Sequence, residues 1–177
     1  MSGGYDLSDA ALVDRLTSAL PTEALLISSD LVRAVATADV LAGGSAGCMR
    51  HRLPNAVALR EFNFGAWDGL HSTEISKRDP KRWRAYFDQP GDVAPPGGES
   101  WNQLSARVAE CVGALSAAHL DSHIIAVAHV GVIMTQLQHA LGITPYQALR
   151  LKVPNLSVTE LQVDRGEWSV RRVNHIP

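Results

Sequence analysis

Three short stretches of this chain place ionisable side chains where chemistry on an anion could be done. In Ser28-Ser29-Asp30-Leu31-Val32-Arg33-Ala34, an apolar run ends and a helix is expected to begin, with Arg33 one turn inside it. A helix N-terminus offers unpaired N–H groups to an anion, and an arginine there can fork two more onto a phosphate. His129 follows the run Ile124-Ile125-Ala126-Val127-Ala128 and precedes Val130-Gly131, the same strand-to-helix setting. Ligands of open α/β sheets bind beyond the carboxyl ends of the strands, so both turns are site-like. Glu61 lies between them in Leu59-Arg60-Glu61-Phe62-Asn63-Phe64-Gly65-Ala66-Trp67-Asp68-Gly69. Its aromatic neighbours Phe62, Phe64 and Trp67 could strip water from the carboxyl and favour its protonated form. Each residue also has a plainer reading: a solvated arginine, a core histidine, a loop carboxylate.

The elements that must position these residues follow from periodicity and punctuation. Ser8 is read as the N-cap of a helix with Leu12, Val13, Leu16 and Leu20 on one face. Ala24-Leu25-Leu26-Ile27 reads as a buried strand, and Asp30 as the cap of a helix that stops at Gly43-Gly44. A weaker strand is expected at residues 56–59, and two helical pieces across residues 72–88, split at Pro80. Residues 89–98, with three prolines and three glycines, must be a loop. Ser100-Trp101-Asn102-Gln103 is a capping box opening a long helix. Ile124 to Ala128 reads as a buried strand followed by a helix to about Leu141; Pro145 starts a short helix. Residues 157–163 and 167–173, joined by Asp164-Arg165-Gly166, read as an antiparallel hairpin. Strand–helix alternation ending in a hairpin predicts one domain across residues 1–177, a three-layer α/β/α sandwich with a mixed, mostly parallel sheet.

Bulk properties narrow the function classes. A net charge of −2 with scattered basic residues shows no footprint for nucleic acid or a membrane surface. Two cysteines, Cys48 and Cys111, give no disulfide framework and fit a reducing cytoplasm. The opening residues lack the basic and apolar regions of a signal peptide. Gly43-Gly44-Ser45-Ala46-Gly47 matches the spacing of a hydrolase nucleophile elbow, but a helix precedes it where a strand is required. His119 and His123 straddle a helix end, and His51, His71, His139 and His175 show no metal-ligand spacing.

Taken together, the three stretches resemble the histidine phosphatase superfamily, the phosphoglycerate mutase-like enzymes. Ser-Asp-Leu-x-Arg-Ala-x-x-Thr-Ala around Arg33 is similar to that family's Ser-x-Leu-x-Arg-Ala-x-x-Thr-Ala, and the Glu61 stretch to its Leu-x-Glu-x-x-x-Gly-x-Trp-Glu-Gly. His129-Val130-Gly131 stands where the family has His-Gly or His-Gly-Gly, and Pro95-Pro96-Gly97-Gly98-Glu99-Ser100 resembles a loop near its site. The resemblance implies a phosphomonoester hydrolase acting on a small phosphorylated metabolite, without cofactor or metal. It implies Arg33 as phosphate clamp, His129 as phosphate contact and Glu61 as general acid. Glu99 gains only a weak claim, its simplest role being a turn into the Ser100 cap.

The family's Arg-His-Gly or Arg-His-Ala tripeptide, whose histidine is the nucleophile, appears nowhere in these residues. In the family it ends a first strand lying inside the sheet, beside the strand corresponding to Ile124–Ala128. The chain is therefore expected to be N-terminally incomplete, its first strand missing, and inactive as written. The alternative is a pseudoenzyme that binds phosphate esters or a protein partner without catalysis. A nucleotide-binding α/β module, from a different class, lacks a glycine-rich phosphate loop. In-frame codons upstream of Met1 distinguish the first two.

Overall fold

The computed structural model describes residues 7–43, 48–164 and 166–177. Helix α1 (Ala10–Ala19) leads into strand β1 (Glu23–Ser28), helix α2 (Val32–Ala42) and strand β2 (Met49–Arg52). After two single 3₁₀ turns come α3 (Ser72–Arg78), α4 (Pro80–Asp88), α5 (Trp101–Ala118) and strand β3 (Ile124–Val127). Helices α6 (Val130–Leu141) and α7 (Pro145–Ala148) precede the hairpin of β4 (Val158–Asp164) and β5 (Glu167–His175).

The central strand is β1, with β2 and β3 parallel to it on either side. Its side chains alternate between two cores, as the pleat requires. Ala24 and Leu26 pack with Leu16 of α1 and Ala38 and Leu41 of α2. Ile27 packs oppositely, with Leu104 and Val108 of α5 and Val132 of α6. Helices thus cover both faces of the sheet, giving the expected α/β/α layering. Among the described residues, β4 and β5 form a separate antiparallel ribbon. Leu156 and Val158 nevertheless pack against the cluster that includes Leu26 and Ile125. No described helix is long and apolar enough to cross a membrane.

Several expected details differ. Asp9, not Ser8, caps α1, its carboxylate accepting the Leu12 N–H at 2.9 Å. Leu31 occupies the N-cap of α2 without a side-chain bond, because the Asp30 carboxylate is held instead by Arg60. Residues 57–59 form a 3₁₀ turn, and the strand beside β1 is the polar Met49–Arg52. Its sequence gives no strand signal because Arg50, 6% exposed, is buried by hydrogen bonding rather than by hydrophobicity. The Arg50 guanidinium donates to the carbonyls of Thr17, Leu20, Pro21 and Leu41, capping the C-terminal ends of α1 and α2 together. Strand β3 is only partly buried, since among the described residues it is hydrogen-bonded on one edge. The Gly43–Gly47 pattern and the Asp164-Arg165-Gly166 turn fall partly outside the described residues.

Candidate functional site

β1 and β3 run side by side, so Ser29 and His129, each just past a strand end, are neighbours. His129 is the N-cap residue of α6 and is 7% exposed. Its Nε2 lies 2.6 Å from Ser29 Oγ, and its Nδ1 accepts a hydrogen bond from Arg33 Nε at 3.2 Å. An Nδ1 that accepts carries no proton, so the ring is neutral and its Nε2–H donates to Ser29. Its pKa agrees: burial foremost, then the charges of Arg33 and Arg107, lower it to about 4. Both ring nitrogens are thus engaged within the protein. Arg33 reaches back from an exposed position on α2, and among the described residues its terminal guanidinium nitrogens make no hydrogen bond.

Glu61 comes from the irregular segment after the first 3₁₀ turn. Its Oε1 accepts the backbone N–H of Gly131 and of Phe62, each at 3.0 Å. The N-terminus of α6 therefore already holds an anionic group, the protein's own carboxylate. Burial raises the Glu61 pKa and outweighs the opposing effects of the Phe62 and Gly131 N–H groups, Arg33 and the Val130 N–H.

Glycine is required where these backbones meet. A Cβ on Gly131 would lie 2.5 Å from Glu61 Oε1 and 2.5 Å from the Phe62 ring. Val130 takes the more open position of the His129-Val130-Gly131 turn, 38% exposed. Gly65, at φ +51°, and Gly98 let residues 63–65 and 95–98 pack backbone to backbone; a Cβ on Gly65 would lie 2.3 Å from the Pro96 carbonyl. The aromatic residues expected around Glu61 are present: Phe62 stacks near Phe64, Tyr86 and Trp101. Trp67 sits edge-on to Tyr86 in the same region.

Three sequence-predicted residues are thus brought together at the β1–β3 strand ends and the first turn of α6. The sequence reading missed Ser29 as the partner of His129, and Arg60 as the bidentate partner of Asp30. It also missed Arg107 beside Glu61. Ser29 and Arg60 lie inside the motif stretches as unremarkable polar residues, whereas Arg107, on α5, has no local signal. Among the described residues, no group of three or more His, Cys, Asp or Glu side chains is placed to hold a metal.

A histidine just past β3, an arginine on α2 and a half-buried carboxylate from an irregular segment thus meet at the carboxyl end of an α/β sandwich, the edge where open α/β sheets bind ligands. A model of the histidine phosphatase superfamily (branch 1) matches residues 8–176, and the chain belongs to that family. A bifunctional protein of Mycobacterium tuberculosis is 36% identical over 118 residues, 66% of this chain and 32% of its own length. A metal-independent phosphoserine phosphatase of Arabidopsis thaliana is 32% identical over 145 residues, 81% of this chain and 58% of its own. The chain thus spans only part of the curated relatives it matches. Among solved structures, mycobacterial glucosyl-3-phosphoglycerate phosphatase in complex with VO3 is 28% identical with a TM-score of 0.75, over 93% of this chain and 81% of that one. Bacillus stearothermophilus YhfR shares the fold with a TM-score of 0.82, over 94% and 82% of the two chains, at 24% identity.

Proposed function

We propose that this chain forms the phosphate-ester site of a phosphomonoester hydrolase acting on a small phosphorylated metabolite in the cytoplasm. Arg33 serves as the clamp, His129 as the second phosphate contact and Glu61 as the proton donor to the leaving group. The observation that carries this is the meeting of Arg33, His129 and Glu61 around the first turn of α6. A phosphate dianion competes with His129 for Arg33; as the guanidinium turns to it, Nδ1 is released. The dianion then favours the protonated imidazole, which becomes a second cationic partner. Glu61, whose pKa is raised, keeps its proton to a higher pH than an ordinary carboxyl and can give it to a departing alkoxide.

The attacking histidine of the family is not among these 177 residues. The chain by itself therefore binds phosphate esters without turning them over. Among the described residues β3 is paired on one edge and β4 lies in a separate ribbon, which supports a further strand between them in a catalytically competent form. Titrating ¹⁵N-labelled chain with inorganic phosphate tests the reading: the Ser29, His129 and Gly131 amides shift saturably, and Arg33→Ala weakens binding by roughly tenfold or more. Binding unaffected by Arg33→Ala, or ordinary phosphatase turnover by the purified chain, overturns it.

A further inference from the structure

Arg107 lies on α5 and never enters the three motifs, yet its guanidinium is engaged on every side. Nε and Nη2 fork onto Glu99 Oε1 and Oε2 at 2.7 and 2.9 Å. Nη1 donates to the Ala58 carbonyl at 2.6 Å, and Nη2 to those of Arg60 and Glu61 at 2.9 and 3.2 Å. Glu99 completes the bracket from the neighbouring loop, its backbone N–H donating to the Asn63 carbonyl at 2.8 Å. The side chains of the pair are 26% and 14% exposed, so water competes little for these bonds.

Residues 60–64 belong to no helix or strand, so no ladder of backbone bonds fixes Glu61. Beside the Arg60–Asp30 ion pair and the packed Phe62 ring, which anchor its neighbours, two contacts hold Glu61 itself to the rest of the fold: the carboxylate on the Gly131 N–H, and the backbone on Arg107. The second bears on the first, because the backbone bonds to Arg107 help set the distance of the segment from α6. Arginine suits this because one planar group must meet a carboxylate and three carbonyls at fixed angles, which the point charge of lysine cannot. We infer that Arg107, oriented by Glu99, is a positioning residue that seats the Glu61 carboxylate on the N-terminus of α6. It acts through the backbone of residues 58–61; its functional meaning rests on Glu61 being the proton donor.

The Gly131 amide of ¹⁵N-labelled chain, followed through a pH titration, reads this seat directly. Arg33, Glu99, Arg107, Tyr86 and His129 all face or neighbour Glu61, so Glu61→Gln identifies which step in the Gly131 curve belongs to it. In Arg107→Lys that step is displaced by roughly one pH unit or lost, as the N–H bond to the carboxylate lengthens. Glu99→Gln, which frees one side of the guanidinium, displaces it in the same direction by less. Should Arg107→Lys not fold, Glu99→Gln carries the test. A folded variant with a lowered Tm and the wild-type Gly131 step makes Arg107 a stability residue only and overturns the inference. A displaced step in a chain that binds no phosphate leaves the positioning intact and removes the functional reading instead.

Discussion

The Glu61 carboxylate rests on the backbone N–H of Gly131 at 3.0 Å, so the proposed proton donor and His129, the proposed phosphate contact, are joined through one turn of α6. His129 caps that helix, Gly131 is its second residue, and Arg33 reaches to His129 from α2. A disturbance at Gly131 therefore bears on the acid before it bears on the histidine.

Gly131→Ala tests that order. The added Cβ would stand 2.5 Å from both Glu61 Oε1 and the Phe62 ring, well inside contact distance. Because residues 60–63 are bracketed by Arg107 and Glu99, the carboxylate must swing away from the helix terminus rather than the whole segment retreat. Such overpacking is expected to cost about 1–3 kcal/mol, read as a lowered midpoint in urea unfolding. The Ser29–His129 contact lies across the site, and its amide signals should stay near their wild-type positions. Unchanged stability with the Glu61 titration intact would show that the glycine is not what admits the carboxylate.

The sequence made the motif residues legible because each sits at a boundary where apolar periodicity stops: Ser28 at the end of β1, His129 after β3, Ser100 before α5. What it hid were polar residues whose burial comes from hydrogen bonds. Arg50 reads as a surface arginine in Met49-Arg50-His51-Arg52, yet it is buried, so the sequence puts the second strand at residues 56–59, several residues too late. Asp30 has the composition of a helix cap, but Arg60 thirty residues away in sequence takes its carboxylate, a competition no local pattern records. Arg107 was invisible for the same reason: its acceptors are carbonyls, which every residue carries.

Replacing Arg50 by lysine should separate the structural arginine from the site. The guanidinium meets four carbonyls at the C-terminal ends of α1 and α2, and an ammonium cannot reach them all. Leaving two or more of these buried carbonyls unpaired is expected to destabilise the fold by roughly 2–4 kcal/mol. Phosphate affinity of the fraction that remains folded should be unchanged, as measured by NMR titration well below the unfolding midpoint. A weakened affinity in folded Arg50→Lys would mean that β2 supports the site more directly than its place at the sheet edge indicates.

Glu61 and His129 tilt the pH dependence of stability in opposite directions. His129 titrates near 4 in the fold, so the unfolded chain takes up its proton first as the pH falls. Its contribution is whole above the ordinary histidine value of 6.5 and is lost on the way down to about 4, a swing of roughly 3 kcal/mol. Glu61 is shifted upward from 4.5, so its contribution is whole below that value and is lost as the pH rises past it. As the pH rises past 4.5 the two slopes oppose each other. Glu61→Gln should therefore steepen the fall in Tm between pH 7 and pH 4, and His129→Asn should flatten it, in melts followed by circular dichroism. Parallel curves for the three proteins would contradict the assigned environments.

The sharpest functional prediction concerns leaving groups. With an N-terminal strand supplying the family's Arg-His-Gly, the chain should hydrolyse both alkyl phosphates and activated aryl phosphates. An alkoxide leaves only if it is given a proton as the P–O bond breaks, whereas a nitrophenolate leaves without one. Glu61→Gln keeps the shape and the Gly131 hydrogen bond but has no proton to give. Its kcat/KM should fall by roughly 10²–10⁴-fold on the alkyl ester and only a few-fold on the aryl ester. As the proposed clamp, Arg33 would meet the phosphoryl oxygens common to both substrates, so Arg33→Ala should depress the two alike. Arg107→Lys should follow Glu61→Gln in kind, with the larger loss on the alkyl ester, because it disturbs the donor and leaves the clamp in place. Equal losses on the two esters in Glu61→Gln would take the acid role away from Glu61 and, with it, the reason for Arg107 to hold that segment.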